Sequence, residues 1–226
     1  DMTGFATSSG PLVSSAGSAS GEDEEGASTV FSLSLTTSAS GLQTTDGDNI
    51  TLTLEGGLVV GRDAGGNAVF AVSINSSTGV VSVAQWESIE HPTGGTNSYD
   101  ESVNLGGAVN AVVTVTDGDG DIASQTVGIG SQIRFEDDGP SAQIASVSGA
   151  AVTHDESAGL QNDDVTGPLA QFAAVTTKSG DMTGFATSSG PLVSSAGSAS
   201  GEDEEGASTV FSLSLTTSAS GLQTTD

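Results

Sequence analysis

The sequence predicts an all-β protein built from antiparallel, immunoglobulin-like β-sandwich domains in a tandem array. Apolar and polar residues alternate in several short runs, which is the period of a strand with one buried face. The chain has 32 Gly but only 7 Phe, 1 Trp and 1 Tyr, a composition typical of strands joined by tight turns. Its first 46 residues also occur a second time, without a change, at the end of the sequence.

This repeat indicates how the chain is organised. Residues 1–46 recur at 181–226, an offset of 180 residues, as expected for near-identical units in tandem. We predict a junction near Gly139-Pro140, so that 1–140 form a repeat unit lacking its first segment and 141–226 begin the next unit. The two copies would then have different neighbours, and one is expected to pack incompletely. The sequence leaves open whether the period folds as one split domain or as two.

Alternation predicts strands along most of the first unit. The clearest is 29–36, in which Phe31, Leu33 and Leu35 share one face. Further strands are predicted at 50–54, 68–74, 80–86, 108–116, 122–129, 132–135 and, after the junction, 141–150. Glycine-rich turns predict hairpins at 55–57 and 63–66, whereas 1–28 reads as loop or weak strand. Nothing in the sequence shows sustained helical periodicity.

Charge narrows the range of partners. Three Lys and Arg stand against 29 Asp and Glu, and the net charge of −26 repels nucleic acids and anionic membranes while favouring divalent cations. Complete disorder is the competing interpretation, but the apolar content of 35% is clearly patterned. The absence of cysteine removes disulfides as a means of stabilisation, which bound metal could replace. The sequence contains no run of 18 apolar residues, so it predicts no membrane-spanning segment.

The sharpest motif is Asp117-Gly-Asp-Gly-Asp121, between two predicted strands. Glycine at alternate positions lets the backbone curl, so that the carboxylates of Asp117, Asp119 and Asp121 converge. Calcium prefers such oxygen ligands, and the motif resembles the first half of an EF-hand loop. Position 128, however, is Gly where that loop needs Glu, and no helices flank it. We therefore predict a calcium site in a β-hairpin loop, with an ordinary Asp-Gly turn as the alternative.

Other acidic clusters are further candidate calcium ligands. Adjacent carboxylates repel one another unless a cation neutralises them, and at a domain junction they can share an ion that stiffens the linker. The two stronger clusters comprise Glu136, Asp137 and Asp138 at the junction, and Asp155 and Glu156 after His154. The weaker candidates are Asp46, Asp48, Asp100, Glu101 and the acidic run Glu22-Asp-Glu-Glu25. Solvated acidic loops are the alternative interpretation for all of them.

The sequence does not predict an enzyme. Its two histidines, His91 and His154, stand in no recognisable catalytic motif, and no Gly-x-Ser-x-Gly elbow occurs in a strand–turn–helix context. Without cysteine there is no thiol chemistry. A carboxylate pair of the glycosidase type cannot be eliminated by counting, but an active site repeated in tandem would be unusual.

Several stretches together resemble the tandem repeats of giant RTX adhesins exported by type I secretion. The resemblance is carried by Thr114-Val-Thr-Asp-Gly-Asp-Gly-Asp-Ile122 and Ile133-Arg-Phe-Glu-Asp-Asp-Gly-Pro140. Supporting matches are Val60-Gly-Arg-Asp-Ala-Gly-Gly66, Ala84-Gln-Trp-Glu-Ser-Ile-Glu-His-Pro92 and Thr153-His-Asp-Glu-Ser-Ala-Gly159. These stretches span most of the 180-residue period.

The resemblance implies a function and a location. Such proteins leave the bacterium unfolded, fold outside in calcium, and use their repeats as extenders that hold a distal ligand-binding region away from the cell for attachment and biofilm formation. It implies a secreted chain on the bacterial cell surface, with calcium and neighbouring repeats as partners and no tendency to oligomerise. Two alternatives stay open: a repeat that itself binds a glycan or protein multivalently, and a self-associating module.

Overall fold

The computed structural model describes residues 4–22, 25–91, 101–178, 184–201 and 207–223. Two compact units make up the chain, one formed by 1–139 with 200–207 and the other by 140–199 with 208–226. Across the described residues the secondary structure is 13 β-strands with two 3₁₀ turns, at Gly130–Gln132 and Ala170–Phe172. The predicted all-β fold is confirmed. The predicted boundaries of the repeat unit stay a prediction.

The first unit contains the larger sheets, and all of their strand pairs are antiparallel. Its strands are β1 (Gly4–Thr7), β2 (Ser28–Leu35), β3 (Ala39–Gln43), β4 (Asn49–Glu55), β5 (Leu58–Arg62), β6 (Ala68–Ile74), β7 (Val81–Gln85), β8 (Ser102–Asn104), β9 (Val109–Thr116), β10 (Ile122–Gly128) and β11 (Arg134–Glu136). A six-stranded sheet has the order β1-β7-β6-β5-β4-β3, a second sheet the order β10-β9-β2, and β11 pairs with β8.

The two larger sheets form a sandwich around one apolar core. Strand β2 packs against β4, β5 and β6 of the six-stranded sheet. Leu33 of β2 is buried in the same cluster as Leu52 and Phe70 from the opposite sheet. Phe70 also packs on Phe135, with ring centroids 4.8 Å apart. Because each such side chain contributes about 1.5–3 kcal/mol when fully buried, this core is the main source of stability for the first unit.

Most predicted strands occur where alternation placed them. The strand predicted at 29–36 is β2, and the one at 68–74 is β6. The hairpin predicted at 55–57 joins β4 to β5, with Gly56 and Gly57 at φ 57° and 86°, as a primed two-residue turn requires. By contrast, residues 130–132 form a 3₁₀ turn, so β11 begins only at Arg134. Strands β3 and β8 carry little alternation and were not predicted.

The second unit has far less regular structure in its described part. Its strands β12 (Ala145–Ser146) and β13 (Val193–Ser194) form one short antiparallel pair. The strand predicted at 141–150 is therefore reduced to two residues. Residues 207–223 contain no strand, and their apolar side chains are exposed. No helix in the described ranges of the chain has the length and apolar character needed to cross a membrane.

Candidate metal centre

The three aspartates of the sharpest motif lie in the turn between β9 and β10. The pairing of these strands ends with Thr116 opposite Ile122, which leaves residues 117–121 as the connection. The backbone N–H of Asp117 donates to the carbonyl oxygen of Asp121 at 3.1 Å and closes the turn. Gly120 has a φ of 99°, a conformation that side chains disfavour, so glycine is needed there.

The Asp117 side chain stabilises the loop by accepting hydrogen bonds from its backbone. Its Oδ1 accepts the backbone N–H of Gly120 at 3.0 Å and that of Asp121 at 2.7 Å. Asp117 is half-buried, whereas Asp119 and Asp121 are exposed. One ligand oxygen from each of the three aspartates lies within 4.8 Å of the other two. The sequence prediction that these carboxylates converge is confirmed.

The electrostatics of the loop suit a cation. The pKa of Asp117 is lowered, first by a hydrogen bond with the Asp119 side chain and then by the backbone N–H groups that its carboxylate accepts. Two oxygens bound to one ion at about 2.4 Å lie at most about 4.8 Å apart, so three ligand oxygens within that distance of one another can share a cation. The cluster can therefore hold a metal ion, with a donor set made only of carboxylate oxygens.

The junction cluster is not arranged as a single chelating group. Asp137 is half-buried, whereas Glu136 and Asp138 on either side are exposed, as alternation along an extended chain requires. The backbone N–H of Asp137 donates to the Glu101 carbonyl oxygen at 3.1 Å, which continues the β11–β8 pairing by one residue. Two candidates that the sequence treated separately, Asp137 and Glu101, are thus cross-strand neighbours.

A histidine that the sequence analysis set aside lies beside this pair. His91 Nδ1 is 3.4 Å from Asp137 Oδ1, and the two side chains are 7% and 15% exposed. His91 Nε2 is 3.2 Å from the Phe135 carbonyl oxygen. No local signal could have revealed this contact, because the two partners are far apart in sequence. Among the described residues, His91 Nδ1 and Glu101 Oε1 are the buried side-chain polar atoms without a hydrogen-bond partner.

The cluster at 154–156 lies in the second unit and is held by hydrogen bonds. His154 Nδ1 is 2.7 Å from Oδ1 of the buried Asp164, which also accepts the backbone N–H of Asp155 at 3.2 Å. The pKa of Asp164 is lowered chiefly by its bond to His154, and that of Asp155 chiefly by its bond to Ser157. Glu156 is exposed. These carboxylates are thus largely occupied by protein donors.

The weaker candidates are dispersed. Asp46 is exposed and Asp48 half-buried in the turn between β3 and β4, where the Asp48 backbone N–H donates to Thr44 Oγ1 at 3.2 Å. Asp100 lies outside the described residues, as do positions 23 and 24 of the acidic run 22–25, whose Glu22 and Glu25 are exposed. Over the described part of the chain, only Asp117, Asp119 and Asp121 bring three acidic or histidine ligand atoms within 4.8 Å of one another.

Comparison with known proteins identifies a family but no activity. No curated protein and no solved structure matches the chain significantly. One family model, described as a domain of unknown function (DUF5801), matches residues 2–130, which is more than half of the chain and includes the aspartate loop. The chain belongs to the DUF5801 family of domains of unknown function.

Proposed function

We propose that this chain is a calcium-stabilised extender repeat of a large secreted bacterial surface adhesin, and that it has no catalytic activity. The observation that carries the proposal is the convergence of Asp117, Asp119 and Asp121 in a tight turn between two strands of the sandwich. In this proposal the array projects a distal ligand-binding region from the bacterial surface for attachment and biofilm formation. Its partners are calcium ions and neighbouring repeats, and each chain is a monomer.

Calcium fits the loop better than other common ions. The donor set contains only carboxylate oxygens, which suit hard cations, and the half-exposed turn leaves room for carbonyl or water oxygens to complete six to eight ligands. Magnesium demands a smaller and more regular shell and gives up its water reluctantly. A carboxylate turn at the surface, with room for further oxygen ligands, therefore favours calcium.

Calcium binding would make the stability of the folded unit depend on the calcium concentration around it. Without it, the carboxylates of the loop and of a chain with net charge −26 repel one another and oppose compaction. Calcium binds the curled loop, which exists only when β9 and β10 are paired. Binding to the folded form alone stabilises by RT ln(1 + [L]/Kd), or roughly 2.7 kcal/mol at a hundredfold excess over Kd. That is a large share of the stability of a typical small domain.

The repetition of the sequence supports an extender. A 46-residue segment repeated without a change at an offset of 180 residues is expected where length and uniformity matter. In the described part of the first unit, core side chains fill the space between the two larger sheets, as expected for a structural module.

Isothermal titration of chelator-stripped protein with calcium tests the proposal, and Asp119→Asn should weaken the tightest binding by at least tenfold. Asp63→Asn is the matched control, because Asp63 accepts the Asn67 backbone N–H at 2.6 Å in another hairpin turn but joins no group of three ligand atoms among the described residues. It should leave calcium affinity unchanged. Absence of calcium binding, or equal losses in both variants, would rule out the loop as the calcium site.

The mechanical part of the proposal needs a longer chain. Small-angle X-ray scattering on an array of several repeats should show a larger maximum dimension and a narrower distribution of shapes in calcium than in EGTA. If the single unit binds calcium but the dimensions of the array are the same with and without it, the calcium site would stand and the extender role would be rejected.

Binding of a ligand by the repeat itself is the second candidate. Its support is an aromatic pair in the second unit, Phe172 and Phe185, stacked with centroids 6.0 Å apart and with Phe172 45% exposed. Phe185 also lines a groove with Glu156 and Lys178. Exposed aromatic rings beside polar groups are typical of recognition surfaces. Glycan-array binding that is lost in Phe172→Ala would favour this function over the extender.

A further inference from the structure

The contact between His91 and Asp137 is unfavourable if the histidine ring is neutral. A carbonyl oxygen can only accept, so in a neutral ring the proton lies on His91 Nε2, which is 3.2 Å from the Phe135 carbonyl oxygen. Nδ1 then presents a lone pair to Asp137 Oδ1 at 3.4 Å, in a place where the His91 side chain is only 7% exposed. Two acceptors facing each other away from water repel, unless a positive charge lies between them.

The other histidine of the chain shows what a direct hydrogen bond looks like here. His154 Nδ1 lies 2.7 Å from Asp164 Oδ1, a normal charge-assisted distance. The 3.4 Å separation at His91 is too long for such a bond, and Nδ1 has no other hydrogen-bond partner. The geometry at His91 therefore differs from that of a histidine–carboxylate hydrogen bond.

A second carboxylate adds to the negative charge at the same place. Asp137 and Glu101 stand opposite each other in the extended β11–β8 pair, so their side chains leave the same face of the sheet. That face is the inner one, because Phe135, two residues before Asp137, is buried in the core. Glu101 Oε1 is also buried and has no hydrogen-bond partner. A protonated His91 would balance only one of these two charges.

We propose that His91, Asp137 and Glu101 bind a divalent transition-metal ion of the zinc class, at a site separate from the aspartate loop. Zinc bound to nitrogen and oxygen at about 2.1 Å in tetrahedral geometry places the two ligand atoms about 3.4 Å apart, close to the observed 3.4 Å between Nδ1 and Oδ1. The bond from Nε2 to a backbone carbonyl is the usual way in which a ligating histidine is oriented.

Glu101 would complete the site by a side-chain movement. Its carboxylate does not yet lie within 4.8 Å of both partners, since His91, Glu101 and Asp137 are absent from the described ligand clusters of that size. Rotation about its side-chain bonds would bring Oε1 to the ion, because the backbone already places Glu101 opposite Asp137. Water would fill the fourth position. Imidazole with carboxylates favours zinc over calcium, so the two sites would select different ions.

Zinc titration in the presence of saturating calcium tests this proposal independently of the aspartate loop. Competition against a chromophoric chelator should reveal one zinc ion per chain, and zinc should raise the thermal midpoint of the first unit. His91→Gln, which can still donate to the Phe135 carbonyl oxygen, and Glu101→Gln should each weaken zinc binding at least tenfold. His154→Gln is the matched control, because it removes the other histidine, and it should bind zinc as the wild type does.

Cobalt spectroscopy of the wild-type protein tests the site without relying on any variant that folds poorly. Cobalt bound at the wild-type site should give the intense visible bands of a four-coordinate ion, and zinc should abolish them. Absence of zinc binding would overturn the proposal, as would loss of binding in His154→Gln with retention in His91→Gln. Nitrogen chemical shifts that show a doubly protonated His91 in metal-saturated protein would overturn it too, because a proton would then occupy the position assigned to the metal.

Discussion

The two copies of the repeated 46-residue segment have the same sequence and different structures. In the first copy, residues 28–35 form β2, which pairs with β9 along its whole length. In the second copy, the equivalent residues 208–215 form no strand. Leu33 is 4% exposed in the first copy, whereas its counterpart Leu213 is 104% exposed. Identical local propensities therefore give a core strand in one place and an exposed segment in the other.

Near the beginning of the segment, the exposure of one phenylalanine differs in the opposite direction, although residues 4–7 of the first copy form β1. Phe5 is 77% exposed in the first copy. Its counterpart Phe185 stacks on Phe172, and the Phe185 carbonyl oxygen accepts the Val165 backbone N–H at 2.8 Å. The first copy is thus paired at both ends, through β1 with β7 and through β2 with β9, whereas the second copy packs only the part for which the adjoining sequence supplies a partner. Residues 47–139 complete the first copy, and residues 140–178 contact the start of the second.

This difference shows that apolar–polar alternation makes a segment able to form a strand but does not by itself make the strand form. Strand residues are stabilised by cross-strand neighbours and by burial rather than by backbone preference alone. Where β9 is available, the alternating residues of 28–35 are paired and partly buried. In an array of repeats, we expect each segment to have partners on both sides, so that both of its halves pack.

The largest expected effect comes from truncating the same leucine in each copy. Leu33→Ala should lower the free energy of unfolding of the first unit by about 2–5 kcal/mol, because it removes a buried side chain and leaves a cavity. Leu213→Ala should change it by less than about 0.5 kcal/mol. Urea unfolding followed by the fluorescence of Trp86 measures both. Equal effects would mean that the two copies exchange places against β9.

Truncating the phenylalanine of each copy should have a smaller effect on stability, and here the second copy should be the more sensitive one. Phe185→Ala should destabilise the second unit by about 0.5–1.5 kcal/mol, the value of an aromatic pair, because it removes the contact with Phe172. Phe5→Ala, at a site 77% exposed, should have almost no effect. Methyl and amide line shapes of residues around Val165 report the change. If Phe5→Ala proves the more damaging, the assignment of partners is wrong.

The smallest expected effect is the acid response of one surface ion pair in the first unit. Arg62 holds Glu55 with bonds of 2.8 and 2.7 Å, and this hydrogen bonding lowers the pKa of Glu55 from 4.5 to about 2. A depressed pKa means that the stabilisation is present above pH 4.5 and is lost as the pH falls toward about 2. The Arg62 and Glu55 side chains are 33% and 42% exposed, so solvent screens the pair and its contribution is small and salt-sensitive.

Glu55→Gln provides the comparison for that prediction. The urea midpoint of the wild type should exceed that of the variant slightly at neutral pH, and the difference should shrink as the pH falls from 4.5 to about 2. A difference that persists unchanged at low pH would show that the hydrogen bonds, rather than the charge of Glu55, provide the stabilisation.

Local patterns predicted a large part of the first unit. Strands β2 and β6 follow from alternation, and the β4–β5 turn follows from paired glycines, because short-range sterics and one-sided burial decide all three. The aspartate loop is also local, since five consecutive residues contain its three carboxylates. Sequence reasoning therefore located the candidate metal centre before the fold was known.

Long-range pairing decided what the sequence could not predict. His91 meets Asp137 only because the backbone places β11 beside β8 and buries Phe135, and nothing near His91 in the sequence signals that contact. The junction acids were expected to act together, but alternation separates Asp137 from its two neighbours. The repeat indicated that one copy would pack incompletely. That the first copy would pair at both ends, and the second only near its beginning, depended on tertiary partners.

Hydrogen exchange of the repeated segment tests the central claim that calcium stabilises the unit in which β9 pairs with β2. Peptides from 28–35 and 208–215 have identical masses, so one peptide reports both copies. We predict two isotope envelopes of equal intensity, one protected and one fully exchanged, and calcium should slow only the protected one relative to EGTA. A single envelope, or a protected envelope that calcium leaves unchanged, would contradict the account.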